Sequence, residues 1–109
     1  MKLIRAIVRS EREPQILKNL ESGGFYGMTK FPVVGRGQQH GIQVGDVGYD
    51  TLSKLEFLMV VSDRDLPAVV QCIEEGAYTG HPGDGKIFIQ EVLSSHTIRT
   101  GAEKHGEQS

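Results

Sequence analysis

One cysteine, no tryptophan, four prolines and 6 % aromatic residues are all that these classes contribute to a chain of 109 residues. Cys72 alone excludes a disulfide framework and a cysteine-based metal cluster. Beside Val69, Val70 and Ile73 it reads as a small core residue rather than a reactive thiol. Histidines 40, 81, 96 and 105 lie far apart, without metal-ligand spacing. No apolar run approaches the length of a membrane span or a signal peptide, which makes a cytoplasmic protein the expectation. Basic runs are missing too. With lysines and arginines scattered and a net charge of −2, neither nucleic acid nor a membrane surface is an expected partner. No Ser/His/Asp set and no paired carboxylates stand out, so the chain does not read as an enzyme. Glu74-Glu75 reads as a solvated helix face, and Glu56, in an apolar strand, as an edge or intersubunit charge.

Glycine, by contrast, is abundant: 14 residues, many in two cation-bearing segments. The first runs from Gly35 through Arg36, Gly37, Gln38, Gln39 and His40 to Gly41, and the second from Gly80 to Lys86. Without a Cβ, backbone N–H groups can crowd around an anion, and the nearby cation neutralises it. The second segment spells G-x-x-x-x-G-K, one residue short of a phosphate-binding loop. Such a loop needs Ser or Thr next and a helix after it. Here Ile87-Phe88-Ile89 follows and reads as a strand, so a nucleotide triphosphatase loop is rejected. A plain tight turn at Asp84-Gly85 ahead of that strand stands beside the anion-cradle reading.

The length corresponds to one domain. Residues 2–9 read as a strand and 12–22 as a helix, with Pro14 in its first turn and Gly23-Gly24 as its stop. Residues 27–34 read as a second strand, which Pro32 places at a sheet edge or distortion. Residues 35–53 carry Gly35, Gly37, Gly41, Gly45 and Gly48 and read as a long functional loop. Residues 54–61 form a third strand. Ser62-Asp63 offers a cap for a helix over 65–77, and 86–93 form the fourth strand. From residue 101 the polar tail is expected to fray. The order strand, helix, strand, strand, helix, strand is the α+β, ferredoxin-like plan. In the third strand, Leu55, Phe57, Met59 and Val61 alternate with apolar Leu58 and Val60, so both its faces call for cover. One chain has no third layer, and an oligomer that buries the open sheet face is expected.

Taken together, Gly27-Met28-Thr29, Gly35 to Gly41, Lys54, Thr79-Gly80, Gly83 to Phe88 and Ile98 to Gly101 give a chain that resembles the PII signal-transduction family over residues 1–101. The segments 35–45 and 49–54 are most similar to its nitrogenase-associated branch, in archaea and anaerobic bacteria, where two paralogous subunits act together. This chain resembles the first of them. The resemblance implies a ferredoxin-like domain over 1–101 with a polar tail over 102–109, trimers with ATP or ADP in each intersubunit cleft, and a loop that reports ligand state. It also implies magnesium and 2-oxoglutarate at the loop's base. No tyrosine matches the one that proteobacterial relatives modify, so uridylylation is not expected.

Carried onto this chain, the nucleotide-binding residues are Ile7, Gly27, Met28, Thr29, Gly35, Arg36, Gly37, Gln38, Gln39, Val60, Gly83, Asp84, Gly85, Lys86 and Arg99. Those for 2-oxoglutarate are Gly37, Gln39, His40, Gly41 and Lys54, and the magnesium ligand is Gln39. The chemistry suits them. Lys86 supplies a point charge and Arg99 a fork of donors to phosphate. Gln39 supplies a neutral hard oxygen for Mg2+. Lys54 matches the distal carboxylate of the keto acid. Two positions depart from the family: Gln38 and Thr97 stand where many relatives carry phosphate-contacting arginines. Weaker nucleotide binding by the isolated chain, or help from a partner subunit, is the expectation.

The leading function is a nitrogen-status sensor that acts on dinitrogenase through its loop. The alternative is a general PII regulator of glutamine synthetase or of an ammonium channel, the one case that would bring it to a membrane. A small ferredoxin-like enzyme or a metal-tolerance trimer is the third reading.

Overall fold

The computed structural model describes residues 1–37 and 50–106. Four strands and two helices follow the expected order: β1 (Lys2–Arg9), α1 (Glu13–Ser22), β2 (Thr29–Gly37), β3 (Asp50–Val61), α2 (Leu66–Ala77) and β4 (Gly85–Glu91). A 3-10 turn over Ser10–Arg12 leads into α1. The sheet order is β2-β3-β1-β4, antiparallel throughout. Strand β3 thus lies between β1 and β2, the split β-α-β arrangement of a ferredoxin-like fold. Pro32 lies in the edge strand β2, where its missing N–H costs the sheet least.

Strand alternation sends Ile4, Ala6, Val8, Leu55, Phe57 and Met59 to one face, where they are buried with Ile16, Leu20, Val69, Ile73 and Ala77. The two helices touch closely at Gly76. A Cβ added there would lie 2.8 Å from the Ile16 Cα. Arg12 Nε donates to the Gly76 carbonyl at 2.7 Å, and the Asn19 amide to the Cys72 carbonyl at 3.2 Å. Cys72 is a free, half-buried thiol.

Three expectations need correction. The strands reach Gly37 and begin again at Asp50, so the 35–53 loop is shorter at both ends. Edge pairing continues past Gly35 because Gly35↔Leu52 and Arg36↔Thr51 keep the ladder in register. The tail is not wholly frayed: β5 (Ser94–His96) pairs with β6 (Glu103–His105), and the Gly106 carbonyl accepts from the Met1 ammonium at 2.9 Å. Asp63 does not cap α2. It takes the Met1 ammonium at 2.8 Å and Lys2 at 3.1 Å, which hold its carboxyl below the usual range. The Ser62 hydroxyl instead accepts the Asp65 N–H.

Candidate functional site

Where β1 ends, its last residues meet the turn that precedes β4. Gly80, Gly83 and Gly85 there have φ of 86°, 95° and 116°. Gly85 has no alternative: a Cβ at this position would stand 1.9 Å from the Ile7 carbonyl oxygen. Asp84 organises the turn from inside. Its Oδ2 accepts the backbone N–H groups of Thr79 at 2.8 Å and Gly80 at 2.9 Å. Its Oδ1 accepts from the Thr79 hydroxyl and from Arg9 Nε, the latter at 3.2 Å. Hydrogen bonds from Thr79, first through its side chain and then through its backbone, hold the Asp84 carboxyl far below the ordinary carboxylate range.

A carboxylate committed to four donors of its own chain has no reason to meet a phosphate. The Asp84 side chain therefore shapes the turn, and its backbone stands in that turn between Gly83 and Gly85. Arg9, which sequence reasoning did not single out, holds the same turn from β1. Besides Asp84 it reaches the Pro82 carbonyl at 2.6 Å. Only sheet register could have found it, since Arg9 faces Lys54 across the β1–β3 ladder.

Lys54 is buried, and its ammonium donates to the Gly83 carbonyl. Burial lowers its pKa below the usual lysine value, and the Arg9 cation lowers it further. Lys86 is exposed at the start of β4, in register with Ile7. Lys54, Gly83, Gly85, Lys86 and Ile7 are therefore neighbours.

A second group lies elsewhere. Gly27, Met28 and Thr29 line one shallow groove with Leu58, Met59 and Val60. Thr29 pairs with Leu58 on edge strand β2, whereas Lys86 opens β4 at the opposite edge. Three strand spacings of about 4.8 Å separate those edges, so the groups stand roughly 14 Å or more apart in one chain. Arg99 belongs to neither. It is exposed in the turn between β5 and β6, where the Gly101 N–H meets the Thr97 carbonyl at 2.7 Å, and this hairpin is anchored at Met1. The structure thus does not bring Lys86, Val60 and Arg99 into one pocket of a single chain.

Gly35, Arg36 and Gly37 continue β2 toward the segment between β2 and β3. Gln38, Gln39, His40 and Gly41 lie outside the described residues. Among the described residues, no group of three or more His, Cys, Asp or Glu could hold a metal ion. No helix is long and apolar enough to cross a membrane, among the described residues.

Against known proteins, the family model described as "Nitrogen regulatory protein P-II" matches residues 1–102. A "Nitrogen fixation nifHD region GlnB-like protein 1" of Methanothermobacter marburgensis is 46% identical over 103 residues, 94% of this chain and 98% of the relative. A "Nitrogen fixation nifHD2 region GlnB-like protein 1" of Methanosarcina barkeri is 45% identical over 101 residues, 93% of this chain and 96% of the relative. "Nitrogen regulatory protein P-II 1" of Methanothermobacter thermautotrophicus is 42% identical over 113 residues, 100% of this chain and 96% of the relative.

Proposed function

Because this chain belongs to the nitrogen regulatory protein P-II family, we propose that it senses nitrogen status by binding ATP or ADP together with 2-oxoglutarate, and that it regulates nitrogenase by direct contact. The contact element is the segment between β2 and β3. The names of relatives from nitrogen-fixation regions support nitrogenase as the target over glutamine synthetase or an ammonium channel.

The observation that carries the reading is the prebuilt turn at Gly80–Lys86, with Lys54 buried against it. A glycine turn already held by Asp84 and Arg9 loses little freedom when it receives a phosphate chain. Lys86 then contributes charge, and Gly83 and Gly85 allow close backbone approach. Lys54 sits where burial strengthens its pairing with a carboxylate, because the ammonium has already lost much of its water. Gly27, Met28, Thr29 and Val60 supply an apolar wall for a base. Gly27, Met28 and Thr29 lie at the β2 edge and Lys86 at the β4 edge, with Val60 on the inner strand β3, so copies of the chain placed edge to edge assemble each cleft between them, with Arg99 delivered from a neighbour. A trimer, alone or mixed with a paralogous subunit, satisfies that requirement.

With Mg2+ bound, nucleotide and the amide oxygen of Gln39 offer the keto acid a chelation partner. In this reading Gly37, His40 and Gly41 would border the keto acid, and Lys54 would meet its distal carboxylate. The two ligands are linked, each raising the affinity for the other. Calorimetric titration of 2-oxoglutarate tests this: heat of binding is expected with Mg-ATP and none without nucleotide. Gln39→Ala and Lys54→Met should each abolish it. Undiminished binding in Gln39→Ala overturns the magnesium assignment. Capture from lysate with and without 2-oxoglutarate names the target, and recovery of glutamine synthetase or an ammonium channel instead of dinitrogenase favours the general regulator.

A further inference from the structure

The sheet face turned away from the helices mixes exposed apolar residues with charged ones. Register places Phe31, Glu56, Ile7 and Lys86 in one row across it, and Thr29, Leu58, Arg5 and Phe88 in the next. Phe31 and Phe88 are 38% and 47% exposed, large aromatic areas to leave in water. Between them lies an ion pair, Arg5 Nη1 to Glu56 Oε2 at 3.4 Å. Its two members differ. Glu56 is buried, at 6% exposure, while Arg5 remains half exposed. The contact is long and engages one of the guanidinium's five donors. The acid is therefore already out of water, with a weak partner, on a face that still lacks cover.

We propose that Arg5 and Glu56 form the recognition lock by which copies of this chain select one another when they bury this face. This rests on the reading above, in which copies close the ligand clefts. The occupant is a second copy, because the patch carries both signs of charge among aromatics, Arg5 and Lys86 beside Glu56 with Phe31 and Phe88, so each copy offers the counter-charge that another needs. Once the face is covered, the Arg5 guanidinium reaches the Glu56 carboxylate of a neighbour as well as its own. Apolar contacts supply most of the association, and they are permissive about partner and register. A buried charge is not permissive, since a partner without the matching charge leaves it unpaired. A paralogous chain with other residues at these two positions would be admitted or refused by them.

The test is subunit exchange between differently tagged chains, read by native mass spectrometry. The double swap Arg5→Glu with Glu56→Arg keeps an intrachain pair possible. Mixed with wild type, however, it sets Glu against Glu and Arg against Arg across the interface. The swapped chain should form oligomers of wild-type mass by itself, while mixed species fall about tenfold below their statistical share. A complementary arm avoids reliance on that variant's folding. Arg5→Glu and Glu56→Arg single variants, co-expressed, should assemble with each other in preference to themselves. Statistical mixing in both arms overturns the lock while leaving the oligomer intact. A monomeric wild type overturns the lock and the reading it rests on.

Discussion

Asp84 has the most heavily used side chain in the candidate site, and its charge faces inward, toward Thr79, Gly80 and Arg9. Removing that charge should loosen the turn without touching the core. Asp84→Asn is expected to cost about 1–2 kcal/mol in chemical denaturation, toward the low end for hydrogen bonds to a charged group because the carboxyl is partly exposed. Nucleotide affinity should fall with it. The pH dependence has a definite sign. The folded carboxyl has a lower pKa than the unfolded one, so its stabilisation is complete above the unfolded value, near pH 4, and is lost as pH falls toward the folded value. The difference between wild type and Asp84→Asn should accordingly be constant near neutrality and shrink on acidification below about pH 4. A difference that holds unchanged to pH 2 would show that the charge does no such work.

Among the elements, the contact between α1 and α2 is the least tolerant. Gly76 sits in the last turns of α2, where alanine would normally stabilise a helix by about 1 kcal/mol. Here a methyl would press on the backbone and side chain of Ile16, both 2.8 Å away. Overpacking against backbone costs roughly 1–3 kcal/mol, and a backbone neighbour does not move aside as a side-chain tip does. Helix separation would also weaken the Arg12 bond to the Gly76 carbonyl. Gly76→Ala should therefore lower the denaturation midpoint despite its better propensity, and a raised midpoint would show that the helices can slide apart freely.

For the whole molecule, the decisive geometry is the split of the proposed ligand contacts between opposite sheet edges. Gly27–Thr29, which share a groove with Val60, lie at the β2 edge, and Gly83–Lys86 lead into β4 at the other edge. If copies supply complementary halves, nucleotide affinity belongs to the assembly. Dilution through the point where light scattering reports dissociation should weaken ATP binding in parallel. Affinity that stays constant for the dissociated chain would show that one chain suffices. Uncovered apolar area points the same way, since Phe31, Val60 and Phe88 share the face opposite the helices.

The sequence alone determined the order of elements and the helix-facing core. Those follow from local periodicity: alternation in 54–61 and 2–9, helical spacing at Ile16 and Leu20, and Pro and Gly punctuation at Pro14, Gly23 and Pro67. It also marked the Gly80–Lys86 turn, because glycine is the residue for which positive φ costs least. Tertiary structure decided what depends on register between distant strands. Arg9 joins Asp84, 75 residues away, only because β1 pairs with β4. The terminal hairpin holds because β6 finds β5 and Gly106 finds Met1, contacts that a polar tail does not announce. Spacing along a chain records which residues share a face. It does not record which edge of the sheet that face will meet, and so could not reveal that Gly27–Thr29 and Gly83–Lys86 stand at opposite edges of one sheet.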